Sequence, residues 1–204
     1  QPSAVKTAAQ ALGLTVYQPE RLRKDAAFME TVRGLQPDVV VYAAYGQILP
    51  TAFLSIPRHG CWNIHGSLLP KYRGAAPIQW AIANGDSETG VCVMIAEAGL
   101  DTGPVLTSTA TAIQPDDTAG TLTARLAALG ADLMLKTLDD FEAGLITAQP
   151  QDESRATHAP SITREHAHIN WKRPAVEIGA LIRAMNPKPG AWTIWRGQEF
   201  KIWS

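Results

Sequence analysis

The segment DVVVYAA, residues 38–44, constrains the fold most, because it is a near-continuous run of apolar residues. Such a run predicts a β-strand that is covered on both faces. Strand patterns also occur in GCWNIH, TGVCVMIAE and GPVLTSTATAI, and segments with helical periodicity lie around and between them. A chain in which strands alternate with helices predicts a doubly wound α/β sheet. In such sheets, ligands bind beyond the carboxyl ends of the strands.

Three further patterns predict local structure. The run LTVY, residues 14–17, predicts a short strand. The long segment DDTAGTLTARLAALGADLMLKTLDDFEAG predicts a helix that begins at an Asp/Thr cap. After about residue 147 the sequence becomes polar and rich in proline, which predicts a linker crossing the surface, and a helical AVEIGALIRAM follows. AWTIW and EFKIWS then predict two strands joined by a turn at Arg-Gly-Gln.

The net charge of −1 at pH 7 conceals an uneven distribution of charge along the chain. Residues 1–73 carry eight Lys or Arg and four Asp or Glu, residues 74–153 carry two and twelve, and residues 154–204 carry eight and three. Basic segments on both sides of an acidic one indicate a polyanionic partner that touches two separate parts of the chain. The alternative is that the acidic helices form an ordinary solvated face.

The bulk composition narrows the class of protein. Hydrophobic residues make up 46% of the chain, which is enough for a buried core. No apolar run approaches the roughly 20 residues that a membrane-spanning helix needs. The start QPSAVKTAAQ lacks the layout of a signal peptide and an initiator Met. Cys61 and Cys92 lack metal-binding or redox spacing, so we expect buried thiols of a cytosolic protein.

Asn63 and His65 lie two residues apart in NIHGSLLPKYRG, at the end of a predicted strand. Because side chains alternate along a strand, both should point into the same cleft. An amide and an imidazole together can stabilise the oxyanion that forms when a nucleophile attacks a carbonyl, and the imidazole can also carry a proton. The structural alternative is an Asn that caps a turn and a His that is held in the core.

A carboxylate follows the next predicted strand. EAGLDTG, residues 97–103, ends in a glycine-rich turn that contains Asp101. A carboxylate there could orient the imidazole, keep it protonated, or accept a proton from an incoming amine. The DTG triplet alone also suggests an aspartic protease, but that class needs a second such motif and an all-β fold, and the sequence indicates neither. A simple turn is the other alternative.

Other catalytic motifs are missing from the sequence. It contains no GxGxxG, no GxxxxGK[ST] and no GxSxG, which are the marks of dinucleotide binding, phosphate-binding loops and serine hydrolases. His158, His166 and His168 lie in the polar linker without a supporting carboxylate pattern. We expect them to be solvated histidines and not metal ligands.

The segments AYGQILP, GCWNIHGSLLPKYRGAAPIQWAIANGDSETGV, EAGLDTG and PDDTAGTL closely resemble the folate-dependent formyltransferases. The motif NxHxSLLP is specific for that family when GLDTG follows at this distance, and the resemblance runs through nearly all of the chain. By this resemblance, Asn63, His65 and Asp101 match the family's catalytic asparagine, histidine and aspartate. The resemblance implies an oxyanion held by Asn63, with His65 as a second donor and Asp101 as its orienting carboxylate.

The resemblance also divides the chain. It implies a Rossmann-like formyltransferase domain over residues 1–147, a linker and helix over residues 148–185, and the truncated start of a C-terminal β-barrel domain over residues 186–204. The family's first strands and most of its barrel have no counterpart in the sequence. We therefore expect a piece of a longer protein.

The implied formyl donor is 10-formyltetrahydrofolate, and no metal ion is expected. The pterin would lie between AYGQIL and IAEAGLD, and the SLLP loop would lie near the formyl group. The residues expected to contact the folate are Tyr45, Gln47, Ile48, Leu49, Ser67, Leu68, Leu69, Pro70, Ile95, Glu97, Ala98 and Gly99.

The implied acceptor is the α-amino group of methionyl-tRNA, formylated for translation initiation. RGAAPIQWAIANGD and the segment from PQDESRATHAP to NPKPGAW resemble the branch of the family with that acceptor. A tRNA would explain the two basic segments, and the residues expected to meet its phosphates are Lys71, Arg73, Lys172 and Arg173. We expect a monomer without a membrane anchor, in the cytoplasm or in an organelle with bacterial-type translation.

Three alternatives remain at this level. A formyltransferase acting on a small acceptor, such as glycinamide ribonucleotide or an amino-sugar nucleotide, would share the donor and the three catalytic residues. A hydrolytic relative would release formate to water, and an RNA-binding module would carry an inactive site. The NPKPGAW extension and the basic tail favour the tRNA acceptor, because a small nucleotide needs neither.

Overall fold

The computed structural model describes residues 2–204, which contain six α-helices, six β-strands and three short 3₁₀ helices. The helices are α1 (Ala4–Ala11), α2 (Ala26–Leu35), α3 (Thr51–Leu54), α4 (Pro77–Ala83), α5 (Ala119–Glu142) and α6 (Ala175–Ala184). The strands are β1 (Val40–Ala43), β2 (Cys61–His65), β3 (Glu88–Ile95), β4 (Val105–Ala112), β5 (Ala191–Trp195) and β6 (Gln198–Ile202). The 3₁₀ helices are Leu22–Lys24, Glu153–Arg155 and Glu165–Ala167.

The first four strands form one sheet in the order β1-β2-β3-β4. The predicted alternation of strands and helices is confirmed, but the sheet is mixed. β1 and β2 are parallel, whereas β3 is antiparallel to both of its neighbours. A loop without a helix joins β3 to β4, and a connection of that kind suits an antiparallel pair, since a parallel pair needs a long crossover.

Helix α5 covers one face of this sheet. It begins at the predicted cap, where Thr118 Oγ1 accepts from Thr121 N at 3.2 Å and Thr121 Oγ1 accepts from Thr118 N at 3.0 Å. Its buried apolar side chains pack against alternate residues of β2, β3 and β4. Gly130 allows the helix to come close to β2, because a Cβ atom there would lie 2.8 Å from Cγ2 of Ile64.

The opposite face of the sheet carries the other set of alternate residues. Cys61 of β2 lies there in an apolar cluster with Leu22, Val32 and Phe53, which brings α2 and α3 onto this face. Burial raises the pKa of the Cys61 thiol to about 11. Cys92 of β3 is also buried and forms no disulfide, so the expectation of two buried thiols is confirmed.

Two predictions about the N-terminal third were wrong. The run LTVY forms no strand, because no neighbouring strand pairs with it within residues 2–204, and a lone extended segment gains no ladder of hydrogen bonds. β1 is a strand, but it is not covered on both faces. Val41 is 43% exposed, since α5 packs on the later strands of the sheet.

The C-terminal part packs beside this sheet and adds a small one of its own. Helix α6 lies against α4, and its buried Ile182 and Ala184 join the apolar core under α5. β5 and β6 form a separate antiparallel pair. The predicted turn between them is confirmed at Arg196 and Gly197, whose φ angles of 50° and 76° fit a tight hairpin. Among residues 2–204, the helices are all too short or too polar to cross a bilayer.

Candidate active site

Asn63 and His65 lie on one face of β2, as their spacing predicted, and on the side away from α5. Both side chains are buried, with exposed fractions of 7% and 5%. Within the described residues the Asn63 amide forms no hydrogen bond to the protein. A buried amide that retains free donors is suited to bind a ligand oxygen.

His65 has its two ring nitrogens directed at protein groups. Nε2 lies 2.9 Å from the backbone carbonyl of Tyr72. Because a carbonyl can only accept, Nε2 carries a proton in this arrangement. Nδ1 lies 3.6 Å from Oδ2 of Asp101. The ring is therefore held between a carbonyl and a carboxylate, and a second proton on Nδ1 would make an imidazolium facing the Asp101 carboxylate.

Asp101 reaches His65 from a loop that starts at the far end of the sheet. β3 is antiparallel, so its last residue, Ile95, pairs with Trp62 near the beginning of β2. The loop of residues 96–104 returns over the catalytic face, and Gly74 N donates to Asp101 Oδ2 at 2.8 Å. Asp101 itself has a φ of 52°, a left-handed conformation that is uncommon outside glycine and asparagine and needs support from its surroundings.

Tyr42 is a site residue that the sequence reasoning missed. It pairs with Asn63 across the parallel β1–β2 ladder, so the two side chains share a face. Burial, and then the negative charge of Asp101, raise the pKa of Tyr42 to about 12, so its phenol stays neutral and keeps a donor at this face. The one signal available was a hydroxyl group within the apolar run DVVVYAA.

The SLLP loop, residues 67–70, is held against the sheet beside His65. Ser67 is fully buried, and its hydroxyl donates to the Lys71 carbonyl at 2.5 Å. Leu69 N donates to Sγ of Cys92 at 3.4 Å, and Leu68 lies over Gly90 of β3. Ser67 thus stabilises the loop internally, whereas the partly exposed Leu68, Leu69 and Pro70 border the site.

The other residues expected to contact folate are divided between two environments. Tyr45, Ile48, Glu97, Ala98 and Gly99 are exposed on the two loops that flank the catalytic face. Three residues are instead held by other protein groups. Gln47 accepts from Leu22 N and donates to the Glu20 carbonyl, Leu49 packs in the α2–α3 cluster, and the Ile95 side chain lies on the α5 face with Trp62.

The four basic residues expected at phosphates also differ. Lys71 is half exposed and forms an ion pair with Asp86 at 2.7 Å. Lys172 and Arg173 are exposed, and Arg173 pairs with Glu177. Arg73, however, is only 3% exposed and is bound to Glu153 and Gln151, so its guanidinium is not open to a phosphate. Its position close to Lys71 in a basic run did not reveal this burial.

The linker histidines have no metal-like arrangement. His166 packs edge-on against Trp80, and His168 packs against Trp192. Within residues 2–204, three or more His, Cys, Asp or Glu side chains nowhere converge closely enough to hold a metal ion. The linker itself is less free than the sequence predicted, because several of its residues bond to the catalytic loops.

The arrangement as a whole suits chemistry at a carbonyl carbon. A free amide donor, an imidazole beside a carboxylate and an exposed rim of two loops are the parts needed to bind a carbonyl group and move a proton during acyl transfer. Fold and site therefore fit the class of α/β proteins that carry out acyl transfer.

Comparison with known proteins identifies the family. Residues 1–138 match the formyl transferase family model, and residues 161–204 match the model of the formyl transferase C-terminal domain. The chain belongs to the formyltransferase family, and the Rossmann-like α/β fold predicted from the sequence is confirmed.

Individual relatives agree with this assignment. A methionyl-tRNA formyltransferase of Caldanaerobacter subterraneus subsp. tengcongensis is 47% identical over 201 residues, which cover 98% of this chain and 65% of that protein. The chain thus spans a little under two thirds of the length of that relative. A 4-N formyltransferase from Francisella tularensis shares the fold with a TM-score of 0.79 at 17% identity, over 98% of this chain and 80% of that one. An N-formyltransferase from Helicobacter canadensis, solved with folinic acid and dTDP-3-aminofucose, has a TM-score of 0.60 at 26% identity, over 70% and 52% of the two chains.

Proposed function

We propose that this chain carries the catalytic site that transfers a formyl group from 10-formyltetrahydrofolate to the α-amino group of methionyl-tRNA. The observation that carries the proposal is the meeting of Asn63, His65 and Asp101 on one face, with Nδ1 of His65 3.6 Å from Oδ2 of Asp101. The 47% identity to a relative named methionyl-tRNA formyltransferase supports this acceptor.

Asn63 has the role that the geometry supports most directly. When the neutral amine attacks the formyl carbon, the carbonyl oxygen becomes negative, and the free Asn63 amide would donate to it. In the described arrangement both nitrogens of His65 face protein groups. A direct bond from His65 to the same oxygen would require its ring to turn, so its role as a second donor stays a prediction.

Asp101 and His65 would manage the proton and the charge. The attacking amine must lose a proton, and N10 of the folate must gain one when the carbon–nitrogen bond to the donor breaks. Asp101 can accept the amine proton, directly or through water, and return it to N10 by the same route, and His65 as an imidazolium would balance the carboxylate while it is charged. The Gly74 N–H on Asp101 Oδ2 keeps the carboxylate in place during this exchange.

The donor would lie against the exposed loops beside the catalytic face. Tyr45 and Ile48 border one side, and Glu97, Ala98 and Gly99 border the other. Polar and apolar groups alternate there, which suits an aromatic ring system with hydrogen-bonding edges. The folinic acid bound to the Helicobacter canadensis relative supports a folate at this fold.

The tRNA would meet the exposed basic residues. Lys71 lies next to the catalytic loop, and Lys172 and Arg173 lie on the segment that leads to α6. Lysine and arginine side chains position a nucleic acid through its phosphates, so these three would orient the acceptor without reading its sequence. We place the reaction in the cytoplasm or in an organelle with bacterial-type translation, and we expect a monomer.

An acceptor assay tests the proposal. The complete gene product that contains this sequence is mixed with 10-formyltetrahydrofolate and either methionyl-tRNA or glycinamide ribonucleotide, and formyl incorporation is followed by mass spectrometry. We expect label on the tRNA, and its loss in the Asn63→Ala variant. Label on the nucleotide alone would show that the acceptor is a small nucleotide and not a tRNA. Formate release without any acceptor would indicate a hydrolase.

A further inference from the structure

Residues 151–159, which we call the strap, lie in the segment expected to be a surface linker, yet they bond to both catalytic loops. At one end, Gln151 bonds to the Asp101 loop. At the other end, Thr157 and Ala159 pair with the backbone around Arg73: Arg73 N donates to the Thr157 carbonyl at 2.8 Å, and Ala159 N donates to the Arg73 carbonyl at 2.7 Å. The strap therefore joins the loop after β2 to the loop after β3.

Gln151 holds the backbone of the Asp101 loop at two points. Its Nε2 donates to the Asp101 carbonyl at 2.8 Å and to the Gly103 carbonyl at 2.7 Å. One of these bonds is on the carbonyl of Asp101, the residue with the left-handed φ of 52°, and the other lies two residues further along the loop. Aspartate adopts that conformation more readily than most residues, but it is still less favourable than the right-handed one, so these external bonds help to keep the loop in one arrangement.

Arg73 fixes which way the Gln151 amide points. Nε and Nη2 of Arg73 both donate to Oε1 of Gln151, at 3.0 and 2.8 Å. Arginine has donors only, so the amide oxygen must face Arg73, and the NH₂ group is then directed at the two loop carbonyls. Glu153 holds the other edge of the guanidinium with two bonds of 2.8 and 2.7 Å.

The strap also supports the second contact on Asp101. Gly74, which follows Arg73, donates its N–H to the Asp101 carboxylate. Its φ is 121°, and a Cβ atom there would lie 2.7 Å from the Ala159 carbonyl oxygen. Gly74 therefore lets the strap pack directly on the residue that binds Asp101.

We infer that Gln151 and Arg73 are positioning residues of the formyltransferase site: they hold the Asp101 loop so that the carboxylate faces His65. The inference rests on the proposed function, since it assigns a purpose to the position of Asp101. It makes the strap part of the active site, although none of its side chains is placed at the reacting atoms.

Gln151→Glu is the decisive variant. A carboxylate has almost the same shape and still accepts from Arg73, but it cannot donate to the carbonyls of Asp101 and Gly103. Gln151→Met removes both contacts, and Gln149→Met is the matched control, because within residues 2–204 the Gln149 side chain bonds only to Thr147. Each is made in the complete gene product and assayed for formyl transfer to methionyl-tRNA, with thermal unfolding measured alongside.

We expect both Gln151 variants to lower kcat by roughly 10- to 100-fold, the usual range for residues that orient a catalytic group. The KM for the formyl donor should stay within about twofold, since Gln151 bonds the loop at Asp101 and Gly103 and not at Glu97, Ala98 or Gly99, and Gln149→Met should behave as wild type. A Gln151→Glu enzyme that unfolds at the wild-type temperature and keeps the wild-type kcat would overturn the inference.

Two outcomes need separate treatment. If both Gln151 variants fail to fold, Glu153→Ala decides, because that side chain is largely exposed and its loss frees one edge of Arg73. A drop in kcat of roughly three- to tenfold would support the inference, and an unchanged kcat would reject it.

If the wild-type enzyme itself transfers no formyl group, the proposed function fails and the positioning role fails with it. If the wild-type enzyme is active and the Gln151 variants keep its kcat, only the positioning role is rejected.

Discussion

The two faces of β2, a strand of five residues, serve different purposes. Trp62 and Ile64 point toward α5 and are packed by apolar side chains. Asn63 and His65 alternate with them and point to the other face, where the loops bring Asp101, Gly74 and the strap. Because successive side chains of a strand point to opposite faces, residues 62–65 place apolar side chains on a core face and polar side chains on the catalytic face.

The difference between the faces lies in what satisfies the side chains. On the α5 face, each residue is held by contacts with many apolar neighbours. On the catalytic face, His65 and Asp101 are held by specific hydrogen bonds, and the Asn63 amide has none to the protein within residues 2–204. We therefore expect substitutions on the first face to affect stability and those on the second to affect rate.

The largest expected effect is on the core face. Trp62 is fully buried, packs edge-on against Phe141 at 5.0 Å, and donates from Nε1 to the His59 carbonyl at 2.9 Å. Trp62→Ala should lower the free energy of unfolding by about 3–5 kcal/mol, measured by urea denaturation. The exposed Trp171 is the control, and its replacement by alanine should cost about 1 kcal/mol or less. Equal losses at the two sites would contradict the assignment of the faces.

The next largest effect is expected on the catalytic face. Asn63→Ala should lower kcat for formyl transfer roughly 10²- to 10³-fold, the range for losing one oxyanion donor, and leave the unfolding temperature nearly unchanged. Stopped or quenched single-turnover assays would separate this loss from product release. A variant that keeps near-normal turnover would remove Asn63 from the proposed mechanism. A variant that unfolds would show that Asn63 stabilises the fold.

How far the sequence anticipated this contrast depends on the range of the interaction. The shared face of Asn63 and His65 follows from local alternation, and the start of α5 follows from the cap at Thr118, so both could be predicted. The antiparallel direction of β3 could not, because it depends on pairing with strands on both sides. Arg73 illustrates the same limit. Its partners lie 78 and 80 residues further along the chain, and nothing in its neighbourhood distinguishes it from the exposed Lys71.

A buried carboxylate outside the site sharpens the comparison. Burial alone would raise the pKa of Asp117, but hydrogen bonds from Arg125, Gln114 N and Thr121 outweigh it and lower the pKa below its ordinary value. A lowered folded-state pKa means that this group stabilises the fold above its unfolded-state pKa, and that the contribution is lost as the pH falls through the folded value.

Asp117→Asn should therefore destabilise the protein by about 1.5–3 kcal/mol at neutral pH, where the charge-assisted bonds are present. The difference from wild type should shrink as the pH falls below the ordinary pKa of an aspartate and the wild-type carboxylate takes up a proton. Urea denaturation across this pH range measures it. The neighbouring Asp116 is exposed, and Asp116→Asn is the control. A difference that is independent of pH would mean that the charge of Asp117 does not contribute.

The smallest expected effect separates Lys71 from Arg73, two basic residues on either side of Tyr72. Lys71 is half exposed and Arg73 is buried against Glu153, so only Lys71 can add a phosphate contact in the proposed tRNA complex. Lys71→Gln should weaken tRNA binding severalfold and reduce the slope of log affinity against log salt by about one, because one fewer counterion is released. Lys136 on the opposite α5 side is the control, since Lys136→Gln removes the same charge far from the catalytic face. A slope unchanged by Lys71→Gln would mean that the tRNA binds elsewhere. Each protein–phosphate contact releases one counterion from the RNA, so the loss of a contact must change the slope.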